Sequence, residues 1–267
     1  MPLSKSSAPP SNSHLTHYKT LGLLLTLYLA QGLPAGFITQ ALPAILREYK
    51  VSLVAIGWSG LILVPWGLKF LWATVVDGYY SQKIGRAKSW ILPMQGLSIV
   101  ILVAVAFFEP HNLAQTRSVM TLYGMLFTLS LIGATHDVAT DGLATRLLKT
   151  AIAPKEPLTH DMPAPDSVTQ TPNHHHRQSQ GNAVQVIGYR LGLIIGGGVL
   201  LMLLEQWGWR NSFLAMAALV AMNTVPIVFF KEHTHTSFIP SKKQVQAAKS
   251  GSFKALKNYL SHHYQYF

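Results

Sequence analysis

Cysteine is absent from all 267 residues, which excludes disulfides, thiolate catalysis and cysteine-ligated metal while leaving the redox compartment open. Charge is scarce as well. Charged residues make up 12% of the chain, and 10 acids stand against 21 Lys and Arg. A net charge of +11 is compatible with nucleic acid binding, but the bases flank apolar runs instead of forming a stripe, which argues against that partner. What the chain has in quantity is apolar surface: 49% hydrophobic residues and a mean hydropathy of +0.26. A soluble domain of this length has no need of so many long apolar runs. Composition therefore predicts an all-α membrane protein whose first partner is the lipid bilayer.

Six apolar runs are long enough to be spans, at about 18–39, 53–76, 90–108, 119–148, 183–204 and 211–230. Residues 1–17 are Ser-, Pro- and His-rich and read as a disordered arm. A signal peptide is the alternative for the first run, but no small-x-small cleavage site follows it. Residues 151–182 combine repeated proline with polar residues and read as a disordered loop. His174, His175 and His176 fall in that loop, with no second ligand set at site-like spacing, so neither metal nor cofactor is expected. The tail 231–267 is a basic linker in which Phe253, Leu256 and Leu260 recur at helical spacing, as on a membrane-surface helix.

Lysine and arginine set the orientation. With the N-terminus inside, fifteen of them fall on the inner side and four on the outer, so both termini are expected in the cytoplasm. Loop 151–182 and the tail then lie on the same side as the turn that carries Asp77, Gly85, Arg86 and Lys88.

The stretch 130–142 carries the chemistry. Asp137 and Asp141 are one helical turn apart on one face, bordered by Ser130, Gly133, Ala134 and Ala144. Acids at membrane depth are costly and usually face the protein interior. Counting about 1.5 Å of rise per residue places Lys69 and Arg190 in the same layer as the two acids. The expectation is a charge layer from three helices, either a static cluster or a proton site whose pairing changes with conformation. An intramembrane hydrolase dyad is the competing chemistry. No Gly-x-Gly-Asp string accompanies the acids, and neighbouring bases would hold both ionised, so no enzyme is expected. Gly32 with Gly36, and Gly188, Gly192 and Gly196 at successive turns, predict close helix packing.

Several strings now resemble a family. The Asp77…Gly85-Arg86-Ala87-Lys88 turn is similar to the loop signature of the major facilitator superfamily. Gly32-Leu33-Pro34, Lys69-Phe70-Leu71-Trp72, Phe108-Glu109-Pro110, Gly188-Tyr189-Arg190-Leu191-Gly192 and Trp207-Gly208-Trp209, with the two acids, resemble the AmpG-type muropeptide permeases and their acetyl-coenzyme A transporter relatives over about 18–230. The resemblance implies a proton-coupled importer of N-acetylglucosaminyl-anhydro-N-acetylmuramyl peptides in a bacterial inner membrane, its charged residues being Asp137, Asp141, Lys69 and Arg190. It also implies a six-helix bundle of two inverted three-helix repeats, the N-terminal half of a twelve-span fold. Gly78 departs from the superfamily, which usually has a base after the loop Asp, and loop 151–182 is longer than the family's. The chain ends where a seventh span would begin, so it reads as a fragment whose expected partner is a missing C-terminal half, or a second copy. A truncated, non-transporting piece of such a permease and a transporter of acetyl-coenzyme A or another small solute are the alternatives.

Overall fold

The computed structural model describes residues 13–110, 113, 115–150 and 172–232; among these, every regular element is helical and no strand occurs. The helices are α1 (Ser13–Gly36), α2 (Leu42–Glu48), α3 (Leu53–Trp58), α4 (Val64–Leu68), α5 (Phe70–Gly78), α6 (Lys88–Ala106), α7 (Thr116–Thr150), α8 (Pro172–Ile194) and α9 (Leu200–Phe229). The expectations for residues 1–12 and 151–171 and for the amphipathic tail lie outside the described residues.

Two expected boundaries move. Helix α1 begins at Ser13, so 13–17 are helical and not part of an irregular arm. Helix α8 begins at Pro172, and 172–182 extend the fifth run instead of belonging to a loop. Proline at the first helical position suits this start, because its missing N–H would have had no intrahelical partner there. The three adjacent histidines therefore fall within the first turns of α8.

Four helical stretches are long and apolar enough to cross a membrane: Tyr18–Glu48, Lys88–Ala106, Thr116–Leu148 and Ser179–Phe229. A fifth arises if Leu53–Leu68 and Phe70–Gly78, bent by 45°, count as one span. Such a set makes the chain a multi-pass membrane protein. The last stretch runs 51 residues, or roughly 77 Å at helical rise, against a hydrocarbon core of about 30 Å. It breaks at Gly208, whose φ of 73° and ψ of 173° no helix contains. The Trp207-Gly208-Trp209 corner is therefore a real turning point. Trp209 fastens it by donating from Nε1 to the Val105 carbonyl at 2.7 Å and by stacking 4.6 Å from Phe213.

Helix α1 sits centrally, between α8 on one side and α7 and α9 on others. Its contact with α8 is backbone on backbone. A Cβ added to Gly192 would lie 2.5 Å from the Leu29 carbonyl oxygen and 2.6 Å from Gly32 Cα. One added to Gly196 would run into the Leu33 carbonyl, and one on Gly36 into that of Leu193. The dry core follows from the same helices: Leu33, Phe37, Leu102, Leu122, Leu126 and Phe213 bury together where α1, α6, α7 and α9 meet. Two five-residue π-turns, Phe37–Ala41 and Ile195–Val199, pack against each other, the second carrying Gly196 of the glycine contact.

Candidate functional site

The bend between α4 and α5 falls at Lys69. Pro65, at the start of α4, cannot donate a backbone hydrogen bond, and the segment before it has already tightened into a 3₁₀ turn over Ser59–Leu63. Breaking the helix there aims the lysine at α7, where both acids wait. Lys69 Nζ pairs directly with Asp137 Oδ2 and lies 3.9 Å from Asp141 Oδ2. The i, i+4 spacing of the acids is what lets one ammonium reach both.

The two acids differ in surroundings. Asp137 is buried against the bundle, whereas the Asp141 side chain keeps 44% of its exposure. Tyr28 of α1 donates its hydroxyl to Asp141 Oδ1 at 2.7 Å, so the outer acid is held from the opposite side. Trp72 of α5 donates from Nε1 to Thr135 Oγ1 at 3.2 Å, which fixes α5 along α7. Three helical segments thus converge on one lysine and two carboxylates.

Arg190 does not join them. It is exposed and makes no ion pair with any acid among the described residues. The reason is angular. Arg190 lies two residues from both Gly188 and Gly192, or about 200° around the helix, and those glycines are the face pressed on α1. An arginine in the middle of a packing ladder must point away from it. Its neighbour Tyr189 faces inward instead, with its ring 6.5 Å from that of Trp66.

The loop residues form a second cluster at the other end of α5. Arg86 Nη2 binds Asp77 Oδ1 at 3.0 Å. Gly85 has a φ of 110°, and a Cβ there would strike the carboxylate of Glu232. Glu232 accepts from the backbone N–H groups of Ala87 (3.1 Å) and Lys88 (3.3 Å), capping α6, and pairs with Arg146 at 3.3 Å. A carboxylate at a helix N-terminus satisfies donors that otherwise lack partners and complements the helix dipole. Lys88 Nζ in turn donates to the Val228 and Phe230 carbonyls at 2.9 Å each, closing the end of α9. One acid and two bases thereby tie α6, α7 and α9 together.

The sequence reading passed over Tyr28, Gln31, His136, Gln95 and Glu232. Gln31 Nε2 and His136 Nδ1 are 3.0 Å apart, both side chains buried. A signal for these residues did exist: Tyr28 and Gln31 are polar groups three apart in an apolar run, and Gln95 is a lone amide in the third run. A lone polar residue of this kind, however, names no partner.

Comparison with known proteins fits this architecture. The family model described as acetyl-coenzyme A transporter 1 matches residues 20–153. The anhydromuropeptide permease of Escherichia coli K12 is 28% identical over 227 residues, which are 85% of this chain and 40% of the permease. Putative transporter AmpG 4 of Rickettsia felis is 26% identical over 214 residues, 78% of this chain and 44% of that protein. An uncharacterized membrane protein of Saccharomyces cerevisiae is 32% identical over 144 residues, 47% of this chain and 26% of its own length. The chain thus spans less than half the length of these curated relatives.

Proposed function

The chain belongs to the acetyl-coenzyme A transporter 1 family, and from that membership we propose that it is one half of a proton-coupled importer of anhydro-muropeptides. On this reading it is a six-helix bundle of two inverted three-helix repeats, lying in a bacterial inner membrane with both termini cytoplasmic. The break at Gly208 supports dividing the last 51-residue stretch into two spans, and the bend at Lys69 supports one broken second span. Alternating access requires a second bundle to rock against, supplied by a C-terminal half or a second copy.

The observation that carries the proposal is the shared lysine. Lys69 holds the buried acid Asp137 and already lies 3.9 Å from Asp141. A proton delivered to Asp137 removes its charge and frees Lys69 to turn toward Asp141. Pairing would then alternate between two acids one turn apart, so that protonation and helix position change together. Discontinuous helices at the midplane are the usual place for such coupling in transporters.

The test is uptake. The chain, alone and co-expressed with the C-terminal half of the Escherichia coli permease, is placed in vesicles with an imposed proton gradient. Gradient-driven accumulation of a labelled N-acetylglucosaminyl-anhydro-N-acetylmuramyl peptide is expected, with Asp137→Asn retaining exchange but losing accumulation. Full accumulation by Asp137→Asn, Asp141→Asn and the double variant would refute the coupling. The family description favours a second reading, an acetyl-coenzyme A-like solute. Competition separates the two: excess acetyl-coenzyme A should leave muropeptide uptake unchanged.

A further inference from the structure

A small cavity of about 30 Å³ lies inside the bundle, lined by residues of α1, α6 and α7. Its wall includes Gln31 and Pro34 of α1, Gln95 of α6, and Ser130 and His136 of α7, with Trp66 over Gly133 at one side. With Ser98 of α6, five polar side chains line it, all at least nine-tenths buried, Gln95 to 2% exposure and His136 to 4%. Five of their atoms have no hydrogen-bond partner: Gln31 Oε1, both amide atoms of Gln95, Ser130 Oγ and His136 Nε2. Among the described residues, no other buried side-chain polar atom is left in this state.

Five orphaned atoms converging on one cavity are not a packing accident. Each buried polar atom without a partner is destabilising, so a folded bundle does not gather them in an empty space. A further acceptor is present. Pro34 has no N–H to give the Ala30 carbonyl one turn earlier, and both residues line the cavity. The set mixes donors and acceptors and carries no formal charge. With Gln31 Nε2 donating to His136 Nδ1, the imidazole presents Nε2–H to the cavity. Gln95 adds two N–H bonds, and Gln31, Gln95 and Ala30 offer carbonyl oxygens. Such a lining suits a neutral ligand that donates and accepts at once. The volume suits one or two molecules of water, each needing about 10–15 Å³ and two to four polar partners.

We propose that this cavity is an ordered-water site bridging α1, α6 and α7, a built part of the fold distinct from the Lys69 cluster. Water joins α1 to its neighbours at the point where Pro34 interrupts its hydrogen-bond ladder. A water bridge follows a bending helix as a fixed side-chain pair does not, since it re-forms its bonds as the distances change.

Hydroxyl-radical labelling of the 267-residue chain in lipid nanodiscs, read by mass spectrometry, tests this. Radicals form from bound water, so buried residues beside it are modified and dry ones are not. Protection is scored for each residue against the denatured chain. His136 and Leu129, at the cavity, are expected to label clearly, while the equally buried Leu122 and Phe213 of the dry core stay protected. Gln95→Leu, which removes both amide atoms and fills space, should drop His136 to the protection of Leu122. Ser130→Val is the alternative should that variant fold poorly. Equal protection of His136, Leu129, Leu122 and Phe213 in the unmodified chain would overturn the proposal, as would labelling at His136 that survives both substitutions.

Discussion

Helix α1 is packed on two sides by opposite means. Toward α8 it presents Gly32 and Gly36, which meet backbone atoms of Tyr189, Gly192, Leu193 and Gly197, while Gly196 presses on the Leu33 carbonyl. Toward α7 it presents Tyr28 and Gln31, which reach Asp141 and His136 through hydrogen bonds. The first contact is dispersion between close surfaces and tolerates no added atom. The second is polar and specific, and depends on each group finding its one partner. A helix held rigidly on one side and by exchangeable polar contacts on the other is suited to pivot about the rigid side.

The sharpest way to break the rigid side is Gly192→Leu. Four added carbons would have to displace backbone atoms of Leu29 and Gly32, which cannot swing aside as a side chain does. Overpacking typically destabilises by about 1–3 kcal/mol, and a backbone-on-backbone contact belongs above that range. Folded yield and thermal midpoint in mild detergent should collapse, while Leu193→Gly, one residue away, is milder. Equal losses in the two variants would remove the ladder from the account.

On the polar side the largest effect belongs to Lys69→Met, which leaves Asp137 buried on α7 without its cation. Breaking a buried pair is destabilising by about 3–5 kcal/mol, and the lysine here is one-third exposed, so a value nearer 2–3 kcal/mol is expected. Adding Asp137→Asn should recover most of it, a coupling that a double-mutant cycle reads directly. Additive losses would mean that the pair does not stabilise the bundle.

These two sides were not equally legible. The glycine ladder can be read from sequence because its rule is local: small residues at successive turns define a face before any partner is known. The same rule placed Asp137 and Asp141 on one side of α7. It also held the answer for Arg190, since a residue between ladder positions must face away, but depth alone had placed it with the acids. Polar partnerships are another matter. Nothing in the spacing of Tyr28 and Gln31 names Asp141 or His136, more than 100 residues on, because only packing brings them within 3.0 Å. Glu232 was illegible for a related reason. Its role depends on Gly85 leaving room beside the start of α6.

Gln31→Leu probes the exchangeable side at its centre. The variant keeps the volume, removes the donor to His136 Nδ1 and leaves that nitrogen buried and unpaired. A loss of about 1–3 kcal/mol is expected from the stranded group, smaller than for Lys69→Met because no charge is involved. Chemical denaturation in detergent with the midpoint compared to Gln31→Glu would check it. A stability unchanged by Gln31→Leu would mean that His136 finds another partner, and the Gln31–His136 pair would lose its claimed weight.

The smallest effect should come from Tyr28→Phe. The ring of Tyr28 is 2% exposed and packs with Leu24 and Ala144, and phenylalanine keeps nearly all of that contact. Only the hydroxyl is lost, and with it the 2.7 Å bond to Asp141 Oδ1. That acid has other recourse: its side chain is 44% exposed, and Lys69 stands 3.9 Å away. Neither group is left stranded, so about 1 kcal/mol is the expected loss, the ordinary net value of a single hydrogen bond. Under the proposed coupling, transport should be the more sensitive readout, because the Tyr28 hydroxyl would bias which acid Lys69 prefers. Without the hydroxyl, Asp141 carries more unshared negative charge and competes better for Lys69 against Asp137. The variant should therefore fold nearly as well as the unmodified chain yet shift the pH dependence of gradient-driven uptake by the full-length assembly. An unshifted profile, together with unchanged stability, would make Tyr28 a spacer and leave the alternation between acids to Lys69 alone.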